Sequence, residues 1–404
     1  MPPEALSAWS AELASVWPHL TVPQVRMLAQ YSIGMILAES SGICRVGFCL
    51  SQWLDQKYQT VRERLRDFYC GKQDKSGRHR RELDVETCFP GLLAWVLRRW
   101  PGSELAIAMD ATTLGQRFTV LAISVVVAGT AIPVAWKILP ADAKGSWKAH
   151  WVRLLRKFSA TVPSQMKVIV LADRGLYAKW LFQCIVELGW HPYLRINATA
   201  GEFKPADTGS YRSLKTLLDK PEEQYASAGT LFRGIAARLT CTLVACWSEG
   251  CAEPWIVATD LPAEQAKASW YGLRSWIERG FKHDKTGGMR WNNTRMTDPG
   301  RASVLWLVMA ISRHLSILGG TGFHQLPDVS VPQPPPPDGP ASPRRNPLLT
   351  GKTPRRVLSV FVTGLLAIRM AIVCGRLPIA SELVSVAWPD RPPSHLSYTA
   401  YVPP

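Results

Sequence analysis

The sequence predicts an α/β fold, with a helical domain before the strands and a small helical tail after them. Two observations support this fold class. Up to about residue 100 the apolar residues recur at helical spacing, whereas residues 104 to 195 read as strands alternating with helices. With 404 residues, the chain is long enough to bury a sizeable core and to hold several structural units.

Residues 1 to 100 form the predicted helical N-terminal domain. Its first apolar stripe contains Val25, Leu28, Ile33, Ile36 and Leu37. A second stripe runs from Trp53 to Phe68, with Ser51 as its predicted N-cap, and the same helix carries Arg62 and Arg66. Most charged helical faces are simply solvated. In a chain with a net charge of +16, this face is also a candidate surface for binding DNA phosphates.

Residues 101 to 199 read as the first part of a ribonuclease-H-like core. Turn signals at Gly115 and Gly129 separate three strands, ELAIAMD, FTVLAISVVVA and AIPVAWKIL. Next come the helix GSWKAHWVRLLRKF, the strand KVIVLAD, the helix LYAKWLFQCIVELG and the strand PYLRI. An antiparallel meander that continues through crossover units is the layout of such a core.

The remaining residues divide into four predicted parts. Residues 200 to 261 give short β-type runs and are expected to form an inserted β subdomain, and residues 262 to 320 give helical patterns that complete the core. Residues 321 to 356 are a proline-rich linker. Residues 357 to 404 form an apolar helical tail that must bury itself, for example in a dimer interface. Arg369 interrupts its apolar run, which argues against a membrane span.

One predicted helix in the second part of the core carries four chemically related side chains: Tyr271, Arg274, Glu278 and Lys285. At ~100° per residue, they fall within an arc of about 60°. The carboxylate suits a divalent metal, whereas the phenol and the two cations suit phosphate groups. This stripe indicates phosphodiester chemistry.

Two aspartates are expected to join Glu278. Asp110 ends the first strand of the core, and Asp173 follows the fourth. Because these strands lie side by side in such a sheet, both carboxylates should emerge at one edge. Three clustered carboxylates repel one another unless cations lie between them. Two Mg²⁺ or Mn²⁺ ions would meet this need and would activate the attacking group in a displacement at phosphorus.

Each acid also has a local explanation. Asp110 is able to cap the turn that follows it. Asp173 is able to pair with Arg174. Glu278 is able to pair with Arg274 at i, i+4. Two strand-end aspartates followed by a helical glutamate, within this order of elements, favour a joint site over three separate local roles.

The spacing Y-x2-R-x3-E-x6-K resembles the signature of bacterial cut-and-paste insertion-sequence transposases with an Asp-Asp-Glu active site. MDATT is similar to the family block with the first catalytic aspartate, and VLADRGLY is similar to the block with the second. The similarity covers about residues 104 to 315. It implies catalytic and metal-binding roles for Asp110, Asp173 and Glu278, and contacts with DNA phosphates for Tyr271, Arg274 and Lys285.

The resemblance also concerns a tryptophan and the partners of the chain. Well-studied relatives stack a tryptophan of a W-x-x-x-T run on a flipped base during hairpin formation, and Trp255 in WIVAT matches that run. Core packing is the alternative role for this tryptophan. The family works on paired inverted-repeat ends bridged by two subunits. Double-stranded DNA, from the element ends and the target, and a second copy of the chain are therefore the expected partners.

The expected function is a DNA transposase that cleaves at element ends and transfers strands to target DNA. A catalytically inactive, transposase-derived DNA-binding protein and a ribonuclease-H-like, structure-specific nuclease are the alternatives. No secretion signal opens the sequence, and the nine cysteines form no CxxC pair. A cytoplasmic location at the bacterial nucleoid, with reduced thiols and no membrane association, is therefore expected.

Overall fold

The computed structural model describes residues 2–75, 81–248, 253–325, 358–375, 383 and 387–390. In these ranges the chain is a mixed α/β protein built on one large sheet, as the sequence predicts. The strands are β1 (Glu104–Leu114), β2 (Phe118–Val127), β3 (Thr130–Pro140), β4 (Lys167–Ala172), β5 (His191–Arg195), β6 (Glu202–Pro205), β7 (Arg212–Ser213), β8 (Gln224–Leu231), β9 (Leu239–Cys246) and β10 (Trp255–Thr259). The α-helices are α1 (Pro2–Val16), α2 (Val22–Ala38), α3 (Ile43–Leu54), α4 (Tyr58–Tyr69), α5 (Phe89–Arg98), α6 (Lys148–Phe158), α7 (Lys179–Glu187), α8 (Ser275–Lys282), α9 (Pro299–Gln325) and α10 (Val360–Val373).

The sheet runs in the order β3-β2-β1-β4-β5-β10-β9-β8-β6-β7. Strand β4 pairs in parallel with β1 and with β5. The other neighbouring pairs in the described part of the sheet are antiparallel. The first five strands, with α6 after β3 and α7 after β4, follow the predicted order. Every residue of β2 is buried, which requires cover on both faces of the sheet.

The strands of the insertion extend this sheet and do not form a sheet of their own. Strand β10 pairs antiparallel with β5, where Val257 lies opposite Arg195 and Ala258 lies opposite Leu194. Strands β9, β8, β6 and β7 then continue outward from β10. The edge that β5 would otherwise expose is thereby paired, which removes a row of unsatisfied backbone groups.

A break between two N-terminal helices corrects a predicted helix start. Helix α3 continues through Ser51, the predicted N-cap, and ends at Leu54. Asp55 then adopts a left-handed φ of 50°, which aspartate tolerates better than most residues. Helix α4 begins at Tyr58. Periodicity missed the break because the apolar residues before and after it keep a nearly helical spacing.

Helix α9 lies at the centre of the helical layer. It begins after Asp298, whose Oδ1 accepts a hydrogen bond from the Arg301 N–H at 2.7 Å and so caps the helix. Length and composition alone would allow α9 to cross a membrane, but 89% of its apolar window is buried inside the protein. Ser312 donates to the Ser32 carbonyl on α2 at 3.2 Å, and α4, α10 and β3 also pack on α9. Cover on several sides explains a helix with an apolar surface all round.

The segment after α9 differs from the prediction. The helix runs through Gln325, so the linker does not begin at residue 321, and its proline-rich part lies outside the described residues. Helix α10 packs on α9 of the same chain and buries Phe361 and Ile368. A β-carbon on Gly364 of α10 would overlap the Ser316 carbonyl oxygen on α9. The tail thus buries an apolar face within its own chain, and dimerisation through it stays a prediction.

Candidate active site

Asp110 and Asp173 lie where two parallel strands stop pairing. Strand β1 continues to Leu114, so Asp110 does not end the strand as predicted. The pairing of β1 with β4 nevertheless stops at Met109, opposite Ala172. Asp110 and Asp173 are the next residues along the two strands, so they emerge side by side. The strand is longer than predicted because β1 keeps its antiparallel partner β2 as far as Leu114.

Each aspartate uses one carboxylate oxygen for the backbone. Asp110 Oδ1 accepts a hydrogen bond from the Ala111 N–H at 2.8 Å. Asp173 Oδ1 accepts hydrogen bonds from the N–H groups of Gly175 and Leu176, both at 3.1 Å. Such contacts are the local turn roles that a short acidic side chain commonly plays. They fix the orientation of both carboxylates and leave the two Oδ2 atoms facing the site.

The guanidinium of Arg274 lies among three carboxylates. Its Nη2 donates to Asp110 Oδ2 at 2.9 Å and lies 3.6 Å from Asp173 Oδ2. Its Nη1 donates to Glu278 Oε1 at 2.7 Å. The side chains of Arg274 and Asp110 are only 14% and 13% exposed, so water screens this pair weakly. The predicted pair of Arg274 and Glu278 therefore exists, as one of three contacts made by a single cation.

The segment that carries the signature residues is not the single α-helix that the sequence predicts. It consists of a 3-10 helix, then α8, then a π-helical turn at His283–Gly287. In an uninterrupted α-helix, the Gly280 carbonyl would accept from the Asp284 N–H. Here the Arg313 guanidinium donates to that carbonyl at 2.6 Å and also pairs with the buried Asp284 carboxylate. These contacts from α9 anchor the wider turn, and helical spacing cannot reveal them.

The irregular helix still brings the other signature residues to the carboxylates. Lys285 Nζ donates to Thr112 Oγ1 on β1 at 2.7 Å. Burial lowers the pKa of Lys285, and nearby carboxylates act in the opposite direction. Tyr271 is buried, and burial raises the pKa of its phenol, while the charge of Arg274 lowers it. The stripe is thus assembled at one place, although not by the continuous helix that predicted it.

Asp110 has a strongly perturbed carboxyl group. Burial raises its pKa from 3.8 to about 6. The charge of Arg274 lowers this pKa, whereas Asp173 and Glu278 raise it. One guanidinium therefore only partly offsets burial and the repulsion among the acids. Further positive charge at this point would stabilise the ionised form of Asp110.

The donor chemistry of the site suits a divalent metal. In the described ranges, no group of three histidine, cysteine, aspartate or glutamate side chains already surrounds a common point, because Arg274 lies between the acids. Its contacts show that one oxygen of each carboxylate is directed at a single cationic group. Asp110, Asp173 and Glu278 offer the hard oxygen donors that Mg²⁺ and Mn²⁺ prefer. The residues therefore fit such ions, which would compete with the guanidinium for the same oxygens.

Trp255 lies beside the signature tyrosine. It opens β10 and is half-buried, and its ring packs edge-on against the Tyr271 ring with centroids 5.3 Å apart. This contact brings Trp255 close to the carboxylates and also gives it a packing role. Both roles proposed from the sequence are therefore compatible with its position.

Arg62 and Arg66 lie on α4, at a different place in the fold. Both pair with Glu63 of the same helix, at 3.3 and 3.0 Å. Helix α4 packs mainly on α2, α3 and α9. A role of these arginines in DNA binding stays a prediction, and it would concern a surface on the N-terminal helices.

Two arginines near the acids were not singled out from the sequence as candidate phosphate contacts. A pair with Asp173 was only the local alternative for Arg174, and in the structure Arg174 pairs with Glu253 at 3.0 Å. Arg195, the last residue of β5, pairs with the same oxygen of Glu253 at 2.6 Å. Arg174 could have been singled out because it directly follows the second aspartate. The proximity of Arg195 to Asp173 could not be predicted, because it depends on the register in which β4 and β5 pair.

Comparison with known proteins identifies the class of this chain. Residues 101–315 match a family described as the transposase DDE domain. Because the match spans more than half of the 404 residues, the chain belongs to this family. The expectation of a DDE transposase is thus confirmed at the level of the family.

One solved structure and the curated proteins complete the comparison. A cryo-EM structure of the piggyBac transposase synaptic complex with hairpin DNA is similar to this chain, with a TM-score of 0.41 and 13% sequence identity. The similarity covers 77% of this chain and 72% of that one. No curated protein matches the sequence.

Proposed function

We propose that this chain is a DNA transposase of the bacterial insertion-sequence type, with a ribonuclease-H-like core. The observation that carries the proposal is that one oxygen each from Asp110, Asp173 and Glu278 is directed at the guanidinium of Arg274. The strand order β3-β2-β1-β4-β5 supports the assignment of the core, because it joins an antiparallel meander to parallel crossovers. The Y-x2-R-x3-E-x6-K spacing supports the insertion-sequence type.

The catalytic roles follow from the chemistry of each side chain. Two Mg²⁺ or Mn²⁺ ions, held by the three acids, would activate the attacking water or 3′ hydroxyl and stabilise the leaving oxygen. The backbone hydrogen bonds of Asp110 and Asp173 keep these two carboxylates oriented. Arg274 and Lys285 supply positive charge for the DNA phosphates beside the reacting bond. The ring of Trp255 offers a surface for a base next to Tyr271.

A strand-transfer assay tests the proposal. The substrate is DNA that carries the terminal inverted repeats flanking the gene, with a plasmid as target and Mg²⁺ in the buffer. The unaltered protein is expected to cleave at the repeat ends and to join the 3′ ends to the plasmid. Asp110→Asn and Glu278→Gln are expected to do neither. Asp207→Asn changes an exposed aspartate in a turn after β6 and should leave the activity unchanged.

The products distinguish the proposal from its alternatives. Cleavage without joining would assign the chain to the structure-specific nucleases. Salt-sensitive DNA binding without metal-dependent cleavage would assign it to the DNA-binding proteins. Full joining activity in either acid variant would contradict the catalytic roles. Sedimentation of the complex with paired end DNA tests the homodimer that is expected from the resemblance.

A further inference from the structure

Next to the carboxylate cluster lies a second charged group, which consists of Arg174, Arg195 and Glu253. The Oε1 atom of Glu253 accepts hydrogen bonds from both arginines, at 3.0 Å from Arg174 Nη1 and 2.6 Å from Arg195 Nη2. A single anionic oxygen held between two guanidinium groups has the environment that a phosphate oxygen takes in many complexes. We call Arg174 and Arg195 the arginine pair.

The arginine pair lies level with the second catalytic aspartate. Arg174 directly follows Asp173. In the parallel pairing of β4 with β5, Ala172 lies opposite Leu194. The next residues along these strands are Asp173 and Arg195, so Arg195 is level with the aspartate. Ligands of open α/β sheets commonly bind outside the carboxyl ends of neighbouring parallel strands, and the arginine pair lies there.

The arginine pair is also continuous with Trp255 and Tyr271. Arg195 lies opposite Val257 on β10, and Trp255 is two residues before Val257, so its side chain is on the same face of the sheet as that of Arg195. The Trp255 ring in turn contacts Tyr271. The charge of Arg195 lowers the pKa of Tyr271. The half-buried Trp255 ring thus shares a face of the sheet with Arg195 and packs against Tyr271.

The three charged side chains differ in exposure. The Arg195 side chain is 20% exposed and is held at the end of β5, whereas the Glu253 and Arg174 side chains are 45% and 52% exposed. Because Glu253 already contacts water, moving it fully into water exposes only part of its side chain. Moving it would also leave two guanidinium groups without their shared anion, and another anion would then be favoured.

We propose that the arginine pair is a phosphate subsite for a nucleic acid strand and that Glu253 occupies it in the DNA-free protein. The expected ligand is a phosphodiester of a single strand that passes from the carboxylates along Trp255. The subsite deepens the proposed function, since it names contacts of the same active site. Glu253 then acts as an internal competitor that favours strands able to displace it.

Fluorescence anisotropy of a labelled oligothymidylate tests the subsite, with full-length protein in EDTA so that no cleavage is needed. Arg195→Gln and Arg174→Gln are expected to weaken binding roughly tenfold. Each should make the slope of the logarithm of the binding constant against the logarithm of the salt concentration less steep by about 0.7, as expected for one lost phosphate contact on a single strand. Glu253→Gln should bind several-fold more tightly than the unaltered protein. Thermal unfolding of each variant shows whether it is folded.

A matched control separates displacement from a general change in charge. Glu202 pairs with Arg233 through two hydrogen bonds, at 2.9 and 3.0 Å, on β6, three strands away from β10. Glu202→Gln removes the same charge from the same sheet and should bind oligothymidylate nearly as the unaltered protein does. Equal tightening by Glu202→Gln and Glu253→Gln would overturn the proposal. An unchanged salt slope in folded Arg195→Gln and Arg174→Gln would overturn it as well.

The two proposals fail in different ways. If Arg195→Gln and Arg174→Gln leave the salt slope unchanged while the unaltered protein carries out strand transfer, the subsite is rejected and the transposase proposal is retained. Oligothymidylate binding that depends on the arginine pair, without any strand transfer, would retain the subsite and reject the catalytic proposal.

Discussion

Replacing Asp110 by asparagine is expected to stabilise the metal-free protein, although this removes a proposed catalytic residue. In the folded protein the pKa of Asp110 rises from 3.8 to about 6, chiefly because the carboxyl is buried. A raised pKa means that the folded state binds the proton more tightly than the unfolded state does. The ionised carboxylate therefore destabilises the fold above about pH 6, and this effect disappears below about pH 4.

The magnitude follows from the same pKa values. At 1.36 kcal/mol per pKa unit, a rise from 3.8 to about 6 corresponds to about 3 kcal/mol. The Asp110 side chain is 13% exposed, so screening by solvent reduces this figure only modestly. Asparagine keeps an oxygen that accepts from the Ala111 N–H and carries no charge at any pH. The free energy of unfolding of Asp110→Asn should therefore be about 3 kcal/mol higher than that of the unaltered protein at pH 7.5. At pH 3.5 the two should differ little.

Urea denaturation in EDTA at these two pH values measures the difference directly. Comparing the variant with the unaltered protein at the same pH cancels the titration of other groups. Asp207→Asn, on an exposed turn, controls for the loss of one negative charge and should give no difference at either pH. Asp110→Asn with equal or lower stability at pH 7.5 would show that Arg274 compensates the burial of this carboxylate fully, and the reasoning would be refuted.

Three further predictions concern the same fold. Ca²⁺ should raise the melting temperature of the unaltered protein at pH 7.5 but have little effect on Glu278→Gln, which differential scanning calorimetry would show. Arg313→Met should lower the free energy of unfolding by about 3 to 5 kcal/mol, because it leaves the buried Asp284 carboxylate without its partner. The double variant with Asp284→Asn should regain part of this free energy, and urea denaturation measures both. Gly364→Val should destabilise by at least about 2 kcal/mol in the same assay, since its β-carbon would meet the α9 backbone, whereas Met370→Ala on the exposed side of α10 should not.

The proximity of Asp110 and Asp173 could be predicted because it depends on two short-range facts. Each aspartate directly follows a run of buried strand residues, although β1 itself continues to Leu114, and the pairing of the two parallel strands stops at this point. The position of Arg274 could not be predicted, since the helical wheel placed it beside Glu278 and said nothing of the sheet. Its contact with Asp110 joins residues that are 164 positions apart, and only tertiary packing decides it.

The irregular helix that carries the signature residues is a second feature that the sequence pattern could not predict. A seven-residue interval places Glu278 and Lys285 on one face of any regular α-helix, and this was enough to group them. Lys285 lies within the π-helical turn, which Arg313 contacts from α9 through the Gly280 carbonyl. The sequence pattern therefore grouped residues that lie near one another, but it could not reveal the buried cation that contacts their backbone from another helix.

The charges of the site concern both parts of the proposed function, the binding of metal ions and the contact with DNA phosphates. Three carboxylates and the guanidinium of Arg274 leave two negative charges that nothing within the cluster neutralises. This excess favours divalent cations and repels phosphate while no such cation is bound. In the proposed function, cations bound to the carboxylate oxygens would compete with Arg274 for these acceptors, and its donors would then be available to a phosphate. Arg274, which now contacts all three acids, would therefore link metal binding to the proposed binding of DNA.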